Sequence, residues 1–536
     1  MIMAYTYMII DGKSWLYSED NQTYQETDIP KLFHGDKVDN DFNLIESPVR
    51  TNKSLVGIFS TSQTQRFGKN KRGNTIYLVK PINNLLPGFM ISYGGKMKGK
   101  IAVRFQFSNW TSKLPTGNII DVISNNEPIE QSMEKILMYH YNIYPKNLFS
   151  KKTPVFNDRG IERKVIEDDI FSIDPDGCQD IDDAMSISKN GDNTIIGIHI
   201  AQPIVYLDEE DILEKIKYNF STLYLEKERK DLWGEFITSN SSLNQNIQRP
   251  AYSTFFEFDN ENNLINTTHY PTLIVNSNVL TYDNASSNKL AQELYNFTSK
   301  LTEISDYHIL VSYWMVKTNL LIGSIFKKDK LIPYRVNSIS NSENFECKIP
   351  DSISKAFMTK NIESATYSYT ETKHASMNVE NYCHFTSPIR RIMDTWIHYV
   401  LTFGSNKSKI DIDTINQNDS MTKKFHRDLN LKTKLNTYFS DLDSKSTNAY
   451  VYKIHGPNLI EIYIEELEMF KKINIFNFKF DYLVSKKLED KTLNLTYQDK
   501  TYVINECDLL NVTLEKRNSL LPKDMLIVIL DDYSLF

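Results

Sequence analysis

The segment Asp174-Pro175-Asp176-Gly177-Cys178-Gln179-Asp180-Ile181-Asp182-Asp183 packs five carboxylates into ten residues with no basic side chain among them. Such a run repels itself unless a cation or bulk water neutralises it. Its flanks narrow what it can be. A strand-like stretch, Asp169–Ile173, leads in. Ala184–Lys189 and Thr194–Ile200 lead out, alternating in period two around the hairpin turn signal Asn190-Gly191. The acids are therefore expected to emerge at the end of a sheet. An EF-hand loop is excluded, because Cys178 takes the fifth ligand position and no glutamate closes the loop at the twelfth. An acidic surface turn and a magnesium site for phosphoryl chemistry both stay open on spacing alone.

A second constellation lies about 200 residues downstream: Tyr382-Cys383-His384-Phe385-Thr386-Ser387-Pro388-Ile389-Arg390-Arg391. Ser387 before Pro388 is an N-cap and first-turn signal. The apolar stripe Ile389, Ile392, Met393, Trp396, Ile397, Val400 and Leu401 predicts a helix from this point. Arg390, Asp394 and His398 fall on the other side, where Arg390–Asp394 would make an ordinary surface pair worth ~0.3–0.5 kcal/mol. Two arginines in a first turn nevertheless oppose the helix dipole, and they make better sense beside an anion. A helix start carrying two guanidinium groups reads as a phosphate site.

The net charge of −7 speaks weakly against a nucleic-acid partner, but the charge is segregated. Thr51–Ile120 holds 11 basic residues, including Arg66, Lys69, Lys71 and Arg72, and no Asp or Glu. At the chain's average acid content, roughly nine acids belong there. The same stretch reads as short strands (Leu55–Ser60, Thr75–Val79, Lys100–Phe107, Asn118–Ile123) broken by Gly-rich turns. That pattern fits a small OB-type β-barrel with a phosphate-tracking surface. A helical pattern follows at Ile129–Tyr141, and others at Asp211–Asn219, Asn288–Ile304, Ile309–Phe326 and Met421–Leu442. After Ser444 short strands return (Ala449–Ile454, Leu459–Ile464, Phe476–Val484, Leu493–Tyr497), as in a further barrel. At 536 residues the chain is too long for one core. Its four cysteines show no zinc or redox spacing and read as reduced thiols. Met1–Ile10 lacks the pattern of a signal peptide and no apolar run approaches membrane-spanning length, so the expected compartment is the cytoplasm.

Taken together, Ile173-Asp174-Pro175 through Asp180-Ile181-Asp182-Asp183-Ala184 and His384-Phe385-Thr386-Ser387-Pro388-Ile389-Arg390-Arg391 resemble the two signature segments of the ribonuclease II and R (RNB) family. Gly197-Ile198-His199-Ile200-Ala201, Ser221-Thr222-Leu223-Tyr224-Leu225 and Leu280-Thr281-Tyr282-Asp283 resemble further markers of its catalytic domain. His34-Gly35-Asp36-Lys37-Val38 and Pro115-Thr116-Gly117 resemble its cold-shock-type OB domains. The likeness leans to the eukaryotic exosome-type branch, without that branch's N-terminal endonuclease domain.

The resemblance implies an α+β fold in which a mixed α/β RNB catalytic domain is flanked by N-terminal cold-shock-type OB barrels and a C-terminal OB barrel. The expected divisions are 1–50 (a reduced first OB-like domain), 51–150, 151–445 (catalytic) and 446–536. It implies processive, hydrolytic 3′-to-5′ degradation of single-stranded RNA to nucleoside 5′-monophosphates by a monomer. By position, Asp174, Asp180, Asp182 and Asp183 match the metal-binding quartet for one or two Mg²⁺ ions, with Mn²⁺ able to substitute, whereas Asp176 has no counterpart. Asp182 and Arg390 match catalytic positions. Tyr224 matches the aromatic that stacks on the 3′-terminal base, and Ser387, Arg391, Arg66, Lys69, Lys71 and Arg72 complete the expected RNA-binding set. Gln202, Ile392 and His426 depart from the family pattern without removing a metal ligand. The alternative is an inactive RNB-type protein that binds and regulates RNA.

Overall fold

The computed structural model describes residues 5–10, 13–18, 23–51, 54–64, 67–123, 129, 131–143, 153–327, 331–339, 348–404, 410–440, 442–456, 459–474, 485–489, 492–497, 500–517, 519 and 521–530. Arg66, Cys347 and the expected strand Phe476–Val484 lie outside the described residues, as does part of the expected helix at Ile129–Tyr141. The fold class is α+β, and the chain divides into two compact units, Met1–Asn142 with Lys424–Phe536, and Ile143–Lys423.

In the first unit, Tyr5–Ile10, Lys13–Ser18, Thr23–Glu26, Lys37–Val38 and Leu44–Glu46 form a five-stranded sheet. Ser54–Ser60, Thr75–Pro81, Phe89–Tyr93, Lys100–Asn109 and Thr116–Val122 close into a barrel. Phe59, Val79, Phe89, Ile91, Ile101, Val103 and Phe105 fill it. The barrel is tight where strands cross: a Cβ on Gly57 would lie 2.7 Å from the Lys80 carbonyl oxygen. The C-terminal segments form a five-stranded sheet built on Ser444–Gly456 and a three-stranded sheet from Ser485–Glu489, Thr492–Tyr497 and Lys500–Ile504. Leu435 and Phe439, from the end of the helix Ile412–Phe439, join their core.

The second unit is organised by six strands in the spatial order Lys164–Val165, Leu264–Thr281, Ile170–Asp174, Asp183–Asn190, Asn193–Ala201 and Gln248–Phe258. Gln248–Phe258 also pairs with Leu264–Thr281, so the pairings of five strands run in a ring. The 18-residue strand Leu264–Thr281 makes this possible. Its first part pairs antiparallel with Gln248–Phe258 and its last part pairs parallel with Ile170–Asp174. Ile196, Ile198 and Ile200 share one face and pack into the main core with Leu310, Trp314, Trp396 and Ile397 from helices Tyr307–Ile325 and Ile392–Phe403. The intervening His199 points the other way and is fully buried, with Nδ1 2.7 Å from Ser253 Oγ and Nε2 3.1 Å from Ser186 Oγ.

Two expectations are corrected. The helix expected to start at Ser387-Pro388 starts at Ile392, with a turn over Pro388–Arg390 before it. Arg391 is drawn instead into a β-bridge with Ser221, and Ile392 N–H donates to the Phe220 carbonyl, so long-range pairing overrides the local cap signal. Among the cysteines, Cys178 and Cys383 are free thiols as expected, but Cys507 is disulfide-bonded. No helix among the described residues is long and apolar enough to cross a membrane.

Candidate active site

The acid run is the connection between Ile170–Asp174 and Asp183–Asn190, at one end of the sheet. Gly177, at φ +74°, lets the chain turn sharply after Asp176, a conformation that costs an L side chain about 1–2 kcal/mol. Asp174 and Asp183 are then fixed as the last and first residues of strands, which holds their side chains more firmly than a loop would.

A cavity of about 710 Å³ opens on this loop. Asp174, Asp180, Asp182, Asp183, Tyr224, Ser387, Arg390 and Arg391 all line it, so eight of the expected site residues meet although the sequence scatters them over three segments. Lys69, Lys71 and Arg72 do not: they stand exposed on the turn between two barrel strands of the other compact unit, where Asn70 Oδ1 accepts the Arg72 N–H at 3.0 Å. Gln202 and Ile392 lie away from the cavity. Gln202 is fully buried, accepting from Arg163 at 2.6 Å and donating to Thr402 Oγ1 at 3.0 Å. His426 is partly buried on the helix Ile412–Phe439.

The carboxylates are not equivalent. Asp182 is buried, and both its oxygens are engaged: Ile389 N–H donates to Oδ1 at 2.8 Å and Arg390 Nε donates to Oδ2 at 3.1 Å. Asp180 is engaged likewise, by Tyr224 Oη at 2.5 Å and Arg229 at 3.0 Å. Asp174 has an Oδ2 atom that is buried without a hydrogen-bond partner. Burial pushes three of these acids upward: Asp174 to about 6, with the Asp182 charge adding to it; Asp183 to about 7, with the Asp174 charge adding; and Asp182 to about 8, despite the counteracting Arg390. Burial also raises the Cys178 thiol to about 12. Burial is the main cause of all three carboxylate rises, and neighbouring carboxylates add to it.

The arginines divide their work. Arg390 also donates to Ser387 Oγ at 3.0 Å, yet its side chain remains 45% exposed at the cavity. Arg391 is turned toward the protein, donating at 2.8 Å to Asp394. The same Asp394 oxygen accepts the Ser387 N–H at 2.8 Å. The alternative of an Arg390–Asp394 surface pair does not form: Asp394 is fully buried and its partner is Arg391. The helix start expected to present free N–H groups to a phosphate is not there: the helix begins at Ile392, protein carboxylates already take the N–H groups of Ser387 and Ile389, and Arg390 is the more exposed of the two arginines that line the cavity.

Arg229 and Asn319, which the sequence did not single out, line the same cavity, as do Tyr282 and Tyr382, which stand in the quoted motifs without an assigned role. Tyr282 stacks on His308 with ring centroids 3.5 Å apart. Asn319 is buried on the helix Tyr307–Ile325 and holds the second signature segment, accepting the Phe385 N–H at 2.9 Å and donating to Tyr382 Oη at 3.1 Å. Arg229 lies five residues after Tyr224, across a turn that makes the two register partners.

Whether this donor set suits a divalent cation can be tested on its chemistry. Among the described residues, no three His, Cys, Asp or Glu side chains converge as a ready cage. The unpartnered Asp174 oxygen, the clustered acids and the all-oxygen character suit a hard cation that keeps part of its coordination shell for water and phosphate oxygens. The residues fit.

Comparison with known proteins is consistent with this geometry. Residues 163–299 and 289–404 match the family described as RNB domain. The chain is 23% identical over 335 residues to ribonuclease R of Chlamydia pneumoniae, covering 48% of this chain and 49% of that protein. It is 28% identical over 189 residues to exosome complex exonuclease RRP44 of Mus musculus, covering 32% and 19%. The chain thus spans about half, or less, of the length of the curated relatives it matches. In fold it is similar to the apo form of Mycoplasma genitalium RNase R (TM-score 0.76, 16% identity, 99% of this chain and 100% of that one). It is also similar in fold to yeast Ssd1, a pseudonuclease (TM-score 0.67, 12% identity, 99% and 97%).

Proposed function

We propose that this chain, an RNB-domain protein by its residues 163–404, is a divalent-cation-dependent exoribonuclease that hydrolyses single-stranded RNA from the 3′ end and releases nucleoside 5′-monophosphates. The observation that carries the reading is the meeting of Asp174, Asp180, Asp182 and Asp183 with Arg390 and Tyr224 around one cavity.

Asp174 and Asp183 are the acids best placed to hold Mg²⁺, or Mn²⁺ in its stead. When bound, such an ion lowers the pKa of a coordinated water and polarises phosphoryl oxygens. Arg390, anchored by Asp182 and Ser387, offers the rest of its guanidinium to negative charge building on the scissile phosphate. Tyr224, 46% exposed, offers its ring to the terminal base and so sets the register of the strand end. Arg391 acts indirectly, through Asp394, by fixing the turn that carries Arg390. Lys69, Lys71 and Arg72 contribute phosphate contacts from the barrel surface, independent of base sequence.

The presence of all four acids and Arg390 in one cavity favours an active enzyme over an RNA-binding regulator. Incubation with 5′-labelled single-stranded RNA and Mg²⁺ is expected to give a descending ladder that EDTA abolishes. Internal cuts alone, or no shortening with Mg²⁺ or Mn²⁺, would refute the proposal.

A further inference from the structure

Four acids around one cavity invite the assumption that all four serve the cation. Their partners divide them into two pairs. Both oxygens of Asp182 are occupied, by Ile389 N–H and by Arg390. Both oxygens of Asp180 are occupied too: Oδ2 accepts from Tyr224 Oη at 2.5 Å, and Oδ1 accepts from the Arg229 guanidinium at 3.0 Å. By contrast, Asp174 has a buried oxygen with no hydrogen-bond donor, and no donor reaches the Asp183 carboxylate among the described residues.

Arg229 is built into this place. Leu223–Tyr224 and Arg229–Lys230 form a two-stranded ladder in which Tyr224 and Arg229 are direct partners, so both side chains leave the same face and meet the same carboxylate. The Arg229 side chain is 21% exposed, and its Nε lies 2.6 Å from Asp231 Oδ1, which holds the guanidinium plane in position. Charge-assisted pairs of this kind are short and directional, and a guanidinium delivers a full positive charge without dehydrating a metal ion. Two guanidinium groups therefore engage two of the four acids, with Arg229 shared between Asp180 and Asp231. The other two, Asp174 and Asp183, match the one or two carboxylates that commonly hold Mg²⁺ together with water and substrate oxygens.

We infer that Arg229 stands in for a second cation beside Asp180, leaving Asp174 and Asp183 to hold a single divalent ion. The inference rests on the reading of the acid loop as a cation site. It makes Arg229 a positioning residue, and the count of bound ions tests it without reference to RNA cleavage.

The experiment is a titration of the full chain with Mn²⁺, without RNA, following the free-ion signal by electron paramagnetic resonance. Wild type is expected to take up one equivalent. Arg229→Met, which keeps the aliphatic reach and removes the charge, should take up two. Arg229→Lys, which restores a cation, should return to one, and circular dichroism melts establish that each variant is folded. Two equivalents in wild type, or one in a folded Arg229→Met protein, overturn the assignment of Arg229 alone. No bound Mn²⁺ in any of the three proteins overturns it together with the cation reading beneath it.

Discussion

The backbone N–H of Ile389 donates to Asp182 Oδ1 at 2.8 Å, joining two buried groups that are 207 residues apart in sequence. This bond and the neighbouring Arg390–Asp182 contact make one object of the two signature segments. They also define what a conservative substitution at Asp182 removes.

Asp182→Asn keeps a carbonyl oxygen for Ile389 N–H but takes the negative charge from beside Arg390. Loss of a preorganised electrostatic group of this kind typically costs ~10²–10³ in rate. Single-turnover cleavage of labelled RNA should fall by at least about 10²-fold, while binding measured by fluorescence anisotropy stays within a few fold. Retained cleavage would refute the assignment of Asp182.

At Tyr224 the ring and the hydroxyl are expected to separate. Tyr224→Ala removes a stacking surface worth ~1–3 kcal/mol per base, so KM for short oligoribonucleotides should rise roughly 5- to 150-fold. Tyr224→Phe keeps the ring and loses only the bond to Asp180, and its KM should remain near the wild-type value. Equal losses in the two variants would remove stacking from the account.

His199 lies fully buried among Ser186 and Ser253, and burial lowers its pKa to about 3. Because the folded-state value lies below the ordinary one near 6.5, the unfolded chain takes up the proton first as pH falls. The stabilising contribution is therefore complete above pH 6.5 and drains away between there and about 3, at ~1.4 kcal/mol per pH unit. Urea unfolding at pH 7.5 and 5.5 checks this against His199→Gln, which has no such proton. The stability difference between wild type and variant should narrow by about 1.4 kcal/mol at the lower pH, and a constant difference would contradict the argument.

Gly323 faces the segment that carries the second signature. A Cβ there would lie 1.8 Å from the Asn381 carbonyl oxygen, so the helix Tyr307–Ile325 and that segment must part. Overpacking of this kind costs ~1–3 kcal/mol. Gly323→Ala should lower Tm by several degrees and cut activity as well, since Asn319 on the same helix positions Phe385 and Tyr382. An unchanged Tm would show that the two elements part without cost.

The hairpin across Asn190-Gly191 was legible because its signals are local: period-two alternation on either side of a turn that needs positive φ, observed at +60° for Gly191. The acid loop was legible for the same reason. Ser387-Pro388 misled because Arg391 found a partner in Ser221, and no local signal records that competition. The 18-residue strand Leu264–Thr281 escaped notice because it serves two neighbours in two directions, which erases a simple alternation. Arg229 escaped because an arginine after a turn looks like solvated surface until its partner carboxylate, 49 residues away, is brought beside it.

The ring of strands also sets an order of events. Ile170–Asp174 finds its parallel partner only in Asn276–Thr281, and Asp182 finds its backbone donor only at Ile389. A polypeptide growing on a ribosome therefore carries the whole acid loop before Ile170–Asp174 has its parallel partner, and long before Asp182 has the Ile389 N–H and Arg390. If the chain degrades RNA, it cannot do so while tethered to the message that encodes it until translation has passed the second signature segment. Synthesis itself delays assembly of the site.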